Sequence, residues 1–312
     1  MTVPEFTSHS PLRIGTRRSP LALAQAEMAA TAIRQAHGLD EDAVILVPML
    51  SSGDKIQDRP LAEIGGKALW TKELERALVE DDIDIAVHSM KDVETVRSPM
   101  FVLSAMLPRA DVRDRLIGVA SLDELRHQAI VGTSSPRRAA QLKAMRPDLV
   151  TVPIRGNVAT RMAQVAAGDF DATLLAAAGL DRLGQPDVGT SLSLETMLPA
   201  AAQGAIGIDH LAERGELALF LQAVNHLATF AAVTAERAFL EALGGNCHSP
   251  VAAHATCNAG KIMLRGEILA EDGSERQSDV LEFAADDADG PARLAHALLE
   301  KSSERLRHLF TP

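Results

Sequence analysis

Apolar positions along this chain follow two periods. Short runs of strand type alternate with longer runs at the i, i+3, i+4 spacing of a helix. LRIGT (12–16) is a strand-type run, and Ser19-Pro20 then opens an apolar-periodic stretch to His37 that stops at Gly38. Ser at the cap, Pro at the first helical position and Gly past the end suit the backbone groups each place leaves unpaired. The stretch is therefore strand, turn and helix. IVGTSSPRRAAQLKAM (130–145) repeats the plan: Gly15-Thr16 corresponds to Gly132-Thr133, Ser19-Pro20 to Ser135-Pro136, and Gln25 to Gln141. A fainter echo pairs IDIAV around Asp84 with FDATL around Asp171. The repeat predicts two similar α/β lobes.

Between these units the pattern predicts strands in AVILVPM, DIAVHS and FVLSAML and a helix over 67–80. RLIGV, DLVTVPI and ATLLAAAG read as strands of the second lobe. Its helices are SLDELRHQ, with a Ser121/Glu124 capping box, and NVATRMAQVAAG. The charged stretch 109–114 lacks apolar periodicity and marks a lobe boundary, with a return crossing near Pro199. Residues 215–244 read as helical. VAAHATC, KIMLRGEIL and RQSDVLEFA then form an antiparallel meander, closed by a helix over 291–309. The expected architecture is α/β, with a first lobe over 1–108 and 199–222 and a second over 109–198. A small α+β domain with a three-stranded antiparallel sheet fills 223–312.

Length and composition narrow the function. The 312 residues suit two or three domains, and 46% apolar with 23% charged residues is a globular composition. The apolar runs are too short for a membrane-spanning helix, and MTVPEFTSHS does not read as a secretory signal. The expectation is a soluble cytoplasmic protein with no membrane partner. A net charge of −11 and 3% aromatic residues argue against nucleic acid. Two cysteines cannot build a disulfide framework, and no zinc or phosphate-loop motif is present, so no metal is expected.

Local charge tells more than the total. Each Gly-Thr turn leads to a helix N-terminus, which favours an anion, and arginines cluster nearby: Arg13, Arg17 and Arg18; Arg137 and Arg138; Arg155 and Arg161. Cations in the first turn of a helix oppose its dipole unless an anion joins them, so a carboxylate ligand is one reading and surface ion pairing the other. VHSMKDV places His88, Ser89, Lys91 and Asp92 just past the carboxyl end of a strand, where open α/β sheets bind ligands. Asp92 beside Lys91 suits proton transfer next to an anion, or a capped turn. Cys247, in LGGNCHSP, is either a reacting thiol or a structural loop cysteine; Cys257 lies in a strand pattern and reads as core.

Taken together, LRIGTRRSPLALAQ, SSGDKI, GGKALWTKELE, DIAVHSMKDV, IVGTSSPRRAAQL, IRGNVATR, ATLLAAAGLDRLG, AAQGAIGID and LGGNCHSP resemble, in order, the hydroxymethylbilane synthases, or porphobilinogen deaminases. The resemblance implies two periplasmic-binding-protein-like lobes and a third domain. It implies a transferase of tetrapyrrole (heme) synthesis that condenses four porphobilinogens, with water, into hydroxymethylbilane and four ammonia. The primer is a covalent dipyrromethane cofactor, with its thioether at Cys247 and the catalytic carboxylate at Asp92. Cofactor contacts fall on Lys91, Thr133, Ser135, Arg137, Arg138 and Arg155, and substrate contacts on Arg17, Ser19, Lys67, Arg161, Arg182 and Gln203. A monomer is the family expectation. The chain departs from the pattern at Glu94, Val112 and Pro136, at Ala68 and Ala202 where glycine is usual, at Trp70 and at Asn246. On the residues alone, a two-lobed carboxylate-binding module and a thiol-nucleophile enzyme stay open as alternatives.

Overall fold

Leu12, Ile14 and Thr16 are fully buried along β1 (Leu12–Arg17), and the chain turns at Ser19 into the Pro20–His37 helix. Ser19 accepts a hydrogen bond from the Ala22 amide, and Gly38 ends the helix in the left-handed region with its amide on the Arg34 carbonyl. This computed structural model describes residues 3–49, 69–245 and 249–310. Two units divide the chain: Met1–Arg109 with Ala205–Phe230, and Ala110–Gly204 with Ala231–Pro312.

Along the chain follow β2 (Val44–Met49), β3 (Ile85–Ser89), β4 (Phe101–Met106), β5 (Asp114–Ile117), β6 (Ile130–Gly132), β7 (Val150–Val152), β8 (Ala172–Ala176), β9 (Thr190–Ser191) and β10 (Ile206–Leu211). The first unit holds a sheet of order β2-β1-β3-β10-β4, the second a sheet of order β7-β6-β8-β5-β9. In each, three parallel strands are followed by an antiparallel one. The two sheets are one design used twice. The Asp84 carboxylate accepts the Arg13 amide at 2.8 Å, and Asp171 accepts the Ile130 amide at 2.6 Å. Each aspartate also pairs with an arginine, Arg13 and Arg126 respectively. A Cβ at Gly15 would stand 2.2 Å from Ile83, and one at Gly132 3.1 Å from Phe170. Ile83 and Phe170 are the residues just before the two aspartates, so the Gly of each Gly-Thr turn makes room for the same neighbour.

The remaining strands, β11 (Val251–Asn258), β12 (Lys261–Leu269) and β13 (Arg276–Ala284), form the expected antiparallel meander. Phe239, Leu264, Ile268, Phe283 and Leu298 pack it against the Leu227–Ala242 and Gly290–Lys301 helices. Cys257 is half-buried at the edge of this core.

Three predicted helices differ from expectation. Around 121–128 only a short turn forms, Leu122–Glu124; the Glu124 carboxylate takes the Ala120 amide, Ser121 makes no side-chain cap, and Gln128 stands at φ +57. The closing helix stops at Lys301 because Ser302 Oγ bonds back to the Leu298 carbonyl, and Ser303 caps a separate turn, Glu304–Arg307. The stretch 215–244 breaks into Gly215–Leu221 and Leu227–Ala242. Asn225 Oδ1 and the His226 amide there satisfy the Met106 backbone at the end of β4.

The turn before β10 sets up the site. Ala202, where the family resemblance expects glycine, holds φ +62, and its amide donates to the fully buried Glu236 carboxylate at 2.6 Å. Gly204 has φ +84, and a Cβ there would lie 2.7 Å from the Ala110 carbonyl oxygen. Gly204→Ala is therefore expected to lower the unfolding free energy by roughly 1–3 kcal/mol, measured by urea titration. Unchanged stability would mean the turn relaxes.

Candidate active site

In the first unit, β3 runs straight into the turn Met90–Asp92. The Met90 side chain is buried, its amide donates to the Ala205 carbonyl at 3.1 Å, and the Val93 amide closes the turn onto the Met90 carbonyl. Main-chain bonds thus fix where Lys91 and Asp92, both half-buried, leave the sheet. Thr16 Oγ1 donates to the Ala22 carbonyl, holding the β1 turn; Arg17 and the cap Ser19 stand half-buried at that turn, also at the carboxyl end of the sheet.

His88 belongs beneath the turn rather than at its surface. Its Nε2 lies 2.6 Å from Asp209 Oδ1, and Arg97 Nη1 lies 2.5 Å from Asp209 Oδ2. Burial would raise the Asp209 pKa, but His88 and Arg97 outweigh it and hold the carboxyl below its ordinary value. Arg97 also pairs with Glu75, so this network ties the segment after Asp92 to β10 and to the Leu69–Val79 helix.

In the second unit, Ser135 caps the Pro136–Met145 helix by accepting the Arg138 amide, and Thr133 Oγ1 accepts the Ser135 amide. Arg137 and Arg138 are buried, which the surface-pairing reading did not foresee. Their anion is Asp114, at the start of β5. Arg138 binds both its oxygens, at 2.7 and 3.2 Å, Arg137 Nη2 binds one at 2.8 Å, and Gln203 Nε2 adds a bond at 2.9 Å. Burial pushes the Asp114 pKa up, but the two guanidiniums overcome it and keep the group ionised far below the usual carboxylate range. An aspartate of the chain thus resolves the conflict between paired arginines and the helix dipole.

Arg182 is held by a backbone carbonyl rather than by a carboxylate. Its Nη2 donates to the Gly204 carbonyl at 2.7 Å, while the nearby Asp181 is taken by Arg115. Burial, only partly offset by Asp181, lowers its pKa to about 10, so it remains charged at neutral pH. Arg155 stands half-buried after Ile154, and Arg161, on the Asn157-capped Val158–Ala166 helix, donates to the Gly156 carbonyl. Lys67, Cys247, Ala68 and Asn246 lie outside the described residues, as does the side chain of Trp70.

Arg137 Nε, Arg182 Nε and Gln25 Nε2 are buried donors that find no acceptor among the described residues. The two arginine donors, both in the second unit, fit a ligand edged with carboxylates, so the residues present suit a polycarboxylate cofactor. The Gln25 correspondence with Gln141 signalled the repeat, but not that its amide is a candidate contact.

A family model for the dipyromethane cofactor-binding domain of porphobilinogen deaminase matches residues 12–218, and one for that protein's C-terminal domain matches 230–301. A porphobilinogen deaminase from Sphingopyxis alaskensis is 55% identical over 97% of this chain and 98% of its own. One from Paracoccus denitrificans is 46% identical over 96% and 94%. A periplasmic substrate-binding protein of an ABC transporter from Coxiella burnetii, at 14% identity, covers 70% of this chain and 94% of its own with a TM-score of 0.42.

Proposed function

The chain belongs to the porphobilinogen deaminase family, the hydroxymethylbilane synthases, and we propose that the following residues carry its chemistry. It is a transferase of porphyrin and heme synthesis that condenses four porphobilinogens, with water, to hydroxymethylbilane and four ammonia, and it uses a dipyrromethane cofactor. When bound, the cofactor supplies the pyrrole carbon to which the first unit is added.

Cys247 holds the cofactor through a thioether. Asp92 accepts hydrogen bonds from pyrrole N–H groups, relays a proton to the departing amine and stabilises the cationic carbon left behind. Lys91, Thr133, Ser135, Arg137 and Arg155 hold the cofactor's acetate and propionate groups. Arg17, Ser19, Lys67, Arg161 and Arg182 hold those of the incoming and added units, and Gln25 joins them; Gln203, whose Nε2 donates to the Val112 carbonyl and to Asp114, supports that carboxylate instead. Arg138 is bound twice by Asp114, so it acts chiefly by setting the field and its neighbour's place. The observation that carries this reading is that Arg137 Nε and Arg182 Nε are buried with no acceptor among the described residues.

The same reading makes the enzyme a cytoplasmic monomer acting on a small molecule, without nucleic-acid or membrane partners. Its net charge of −11 and low aromatic content support the absence of a nucleic-acid partner. Among the described residues no single helix is long and apolar enough to cross a membrane.

Arg182→Gln removes one charge-assisted contact worth about 1.5–3 kcal/mol, so KM for porphobilinogen should rise about 10–100-fold or a partly elongated enzyme should accumulate. Steady-state kinetics with mass spectrometry of the enzyme-bound chain tests this. Unchanged KM and unchanged intermediates would remove Arg182 from the site.

A further inference from the structure

The C-terminal sheet buries a carboxylate for which the reaction so far has no use. Ile262, Leu264, Gly266 and Ile268 of β12 are buried on one alternation, whereas Lys261 and Met263 on the other are exposed and Arg265 is half-buried. Glu267 continues that second alternation yet is fully buried, at the end of β12 that meets the Pro136–Met145 helix. A carboxylate withdrawn from water is costly unless it is paired and hydrogen-bonded, and Glu267 has both. Arg276 approaches Oε2 with Nε at 2.7 Å and Nη2 at 2.5 Å, and Gln141 Nε2 donates to Oε1 at 2.7 Å.

Gln141 passes this contact on. Its Nε2 also donates to the Leu198 carbonyl at 3.0 Å, while its Oε1 accepts from Arg137 Nη1 at 3.0 Å. Arg137 Nη1 shares the Leu198 carbonyl at 2.9 Å, and Nη2 goes to Asp114. A primary amide has one donor end and one acceptor end. If the Gln141 amide were reversed, its oxygen would face the Glu267 carboxylate and the Leu198 carbonyl, and its NH2 would face a guanidinium. Glu267 therefore sets the sense of the amide, and the amide sets the guanidinium. Both Nη groups thereby have partners inside the protein, and Nε is left with no acceptor among the described residues.

We infer that Glu267 is a positioning residue, which through Gln141 fixes the Arg137 guanidinium so that its Nε meets a carboxylate of the dipyrromethane cofactor. This rests on the assignment of Arg137 to the cofactor. It links the C-terminal part of the chain, where Cys247 lies, to an arginine of the second lobe by a hydrogen-bonded path of two ion pairs joined through one amide: Arg276, Glu267, Gln141, Arg137, Asp114.

The test is the rate at which full-length apoprotein, isolated from cells that make no porphobilinogen, gains the cofactor mass after porphobilinogen is added. Glu267→Gln, Gln141→Met, their double variant and Arg137→Leu are compared with the unaltered chain, with thermal unfolding alongside. Arg137→Leu should load at least a hundredfold slower. The two single variants should each load of the order of tenfold slower, as when outer partners of other bound groups are removed. The double variant should be no slower than either single one, because both cut the same link. Normal loading by Glu267→Gln or by Gln141→Met overturns the inference and leaves Arg137 in place, and so do effects that multiply in the double variant. Normal loading by Arg137→Leu overturns the underlying assignment instead. If Glu267→Gln fails to fold, Gln141→Met removes no charge and decides the matter alone.

Discussion

Asp92→Asn is expected to lower kcat by about 10²–10⁴-fold, the range for loss of a positioned proton-transfer group. The amide keeps the shape of the side chain and one acceptor, but it can neither take the proton nor balance a cation. The fold should survive, because the turn is held by the Met90 amide on Ala205, by the Val93 amide on Met90 and by the burial of Met90. Product formation from porphobilinogen, read beside thermal unfolding, checks both halves. Retention of more than a tenth of the activity would remove Asp92 from the proton-transfer role.

Asp114→Ala should cost about 3–5 kcal/mol of unfolding free energy, the penalty for breaking a buried ion pair by removing one partner. Two buried guanidiniums and the Gln203 amide would lose their common acceptor at once. Urea unfolding measures the loss, and a change under 1 kcal/mol would mean that water replaces the carboxylate. The pH dependence has a definite sign. The folded pKa of Asp114 is depressed, so its contribution is complete above its unfolded value near 4 and is lost as pH falls through the lower folded value. The unaltered protein should lose stability more steeply than Asp114→Ala below about pH 4. Parallel curves would contradict that account.

Much of this was legible because it is local. Caps at Ser19 and Ser135, the Pro positions and the Gly38 stop follow from which backbone groups need partners within a few residues. The repeat was legible too, and the structure adds its reason: in both lobes an aspartate clamps the first strand while the residue before it fills the space a glycine leaves. Long-range pairing was not legible. No local pattern says that β10 inserts antiparallel between β3 and β4, that Asn225 is drawn to the end of β4, or that Asp114 waits for two arginines more than twenty residues away. His88 looked like a site residue from its position past the strand, but its partner Asp209 lies on a strand far along the chain. The residues alone left a carboxylate-binding module and a thiol enzyme open. The family matches over 12–218 and 230–301 decide between those readings.

The most direct test of the assigned chemistry is the intact mass of the purified chain, with and without Cys247→Ala. The unaltered protein should exceed the mass of its 312 residues by two deaminated porphobilinogen units, and the variant should not. A chain that stays at its bare mass after incubation with porphobilinogen, or a Cys247→Ala variant that carries the same adduct, would contradict the attachment on which the account rests.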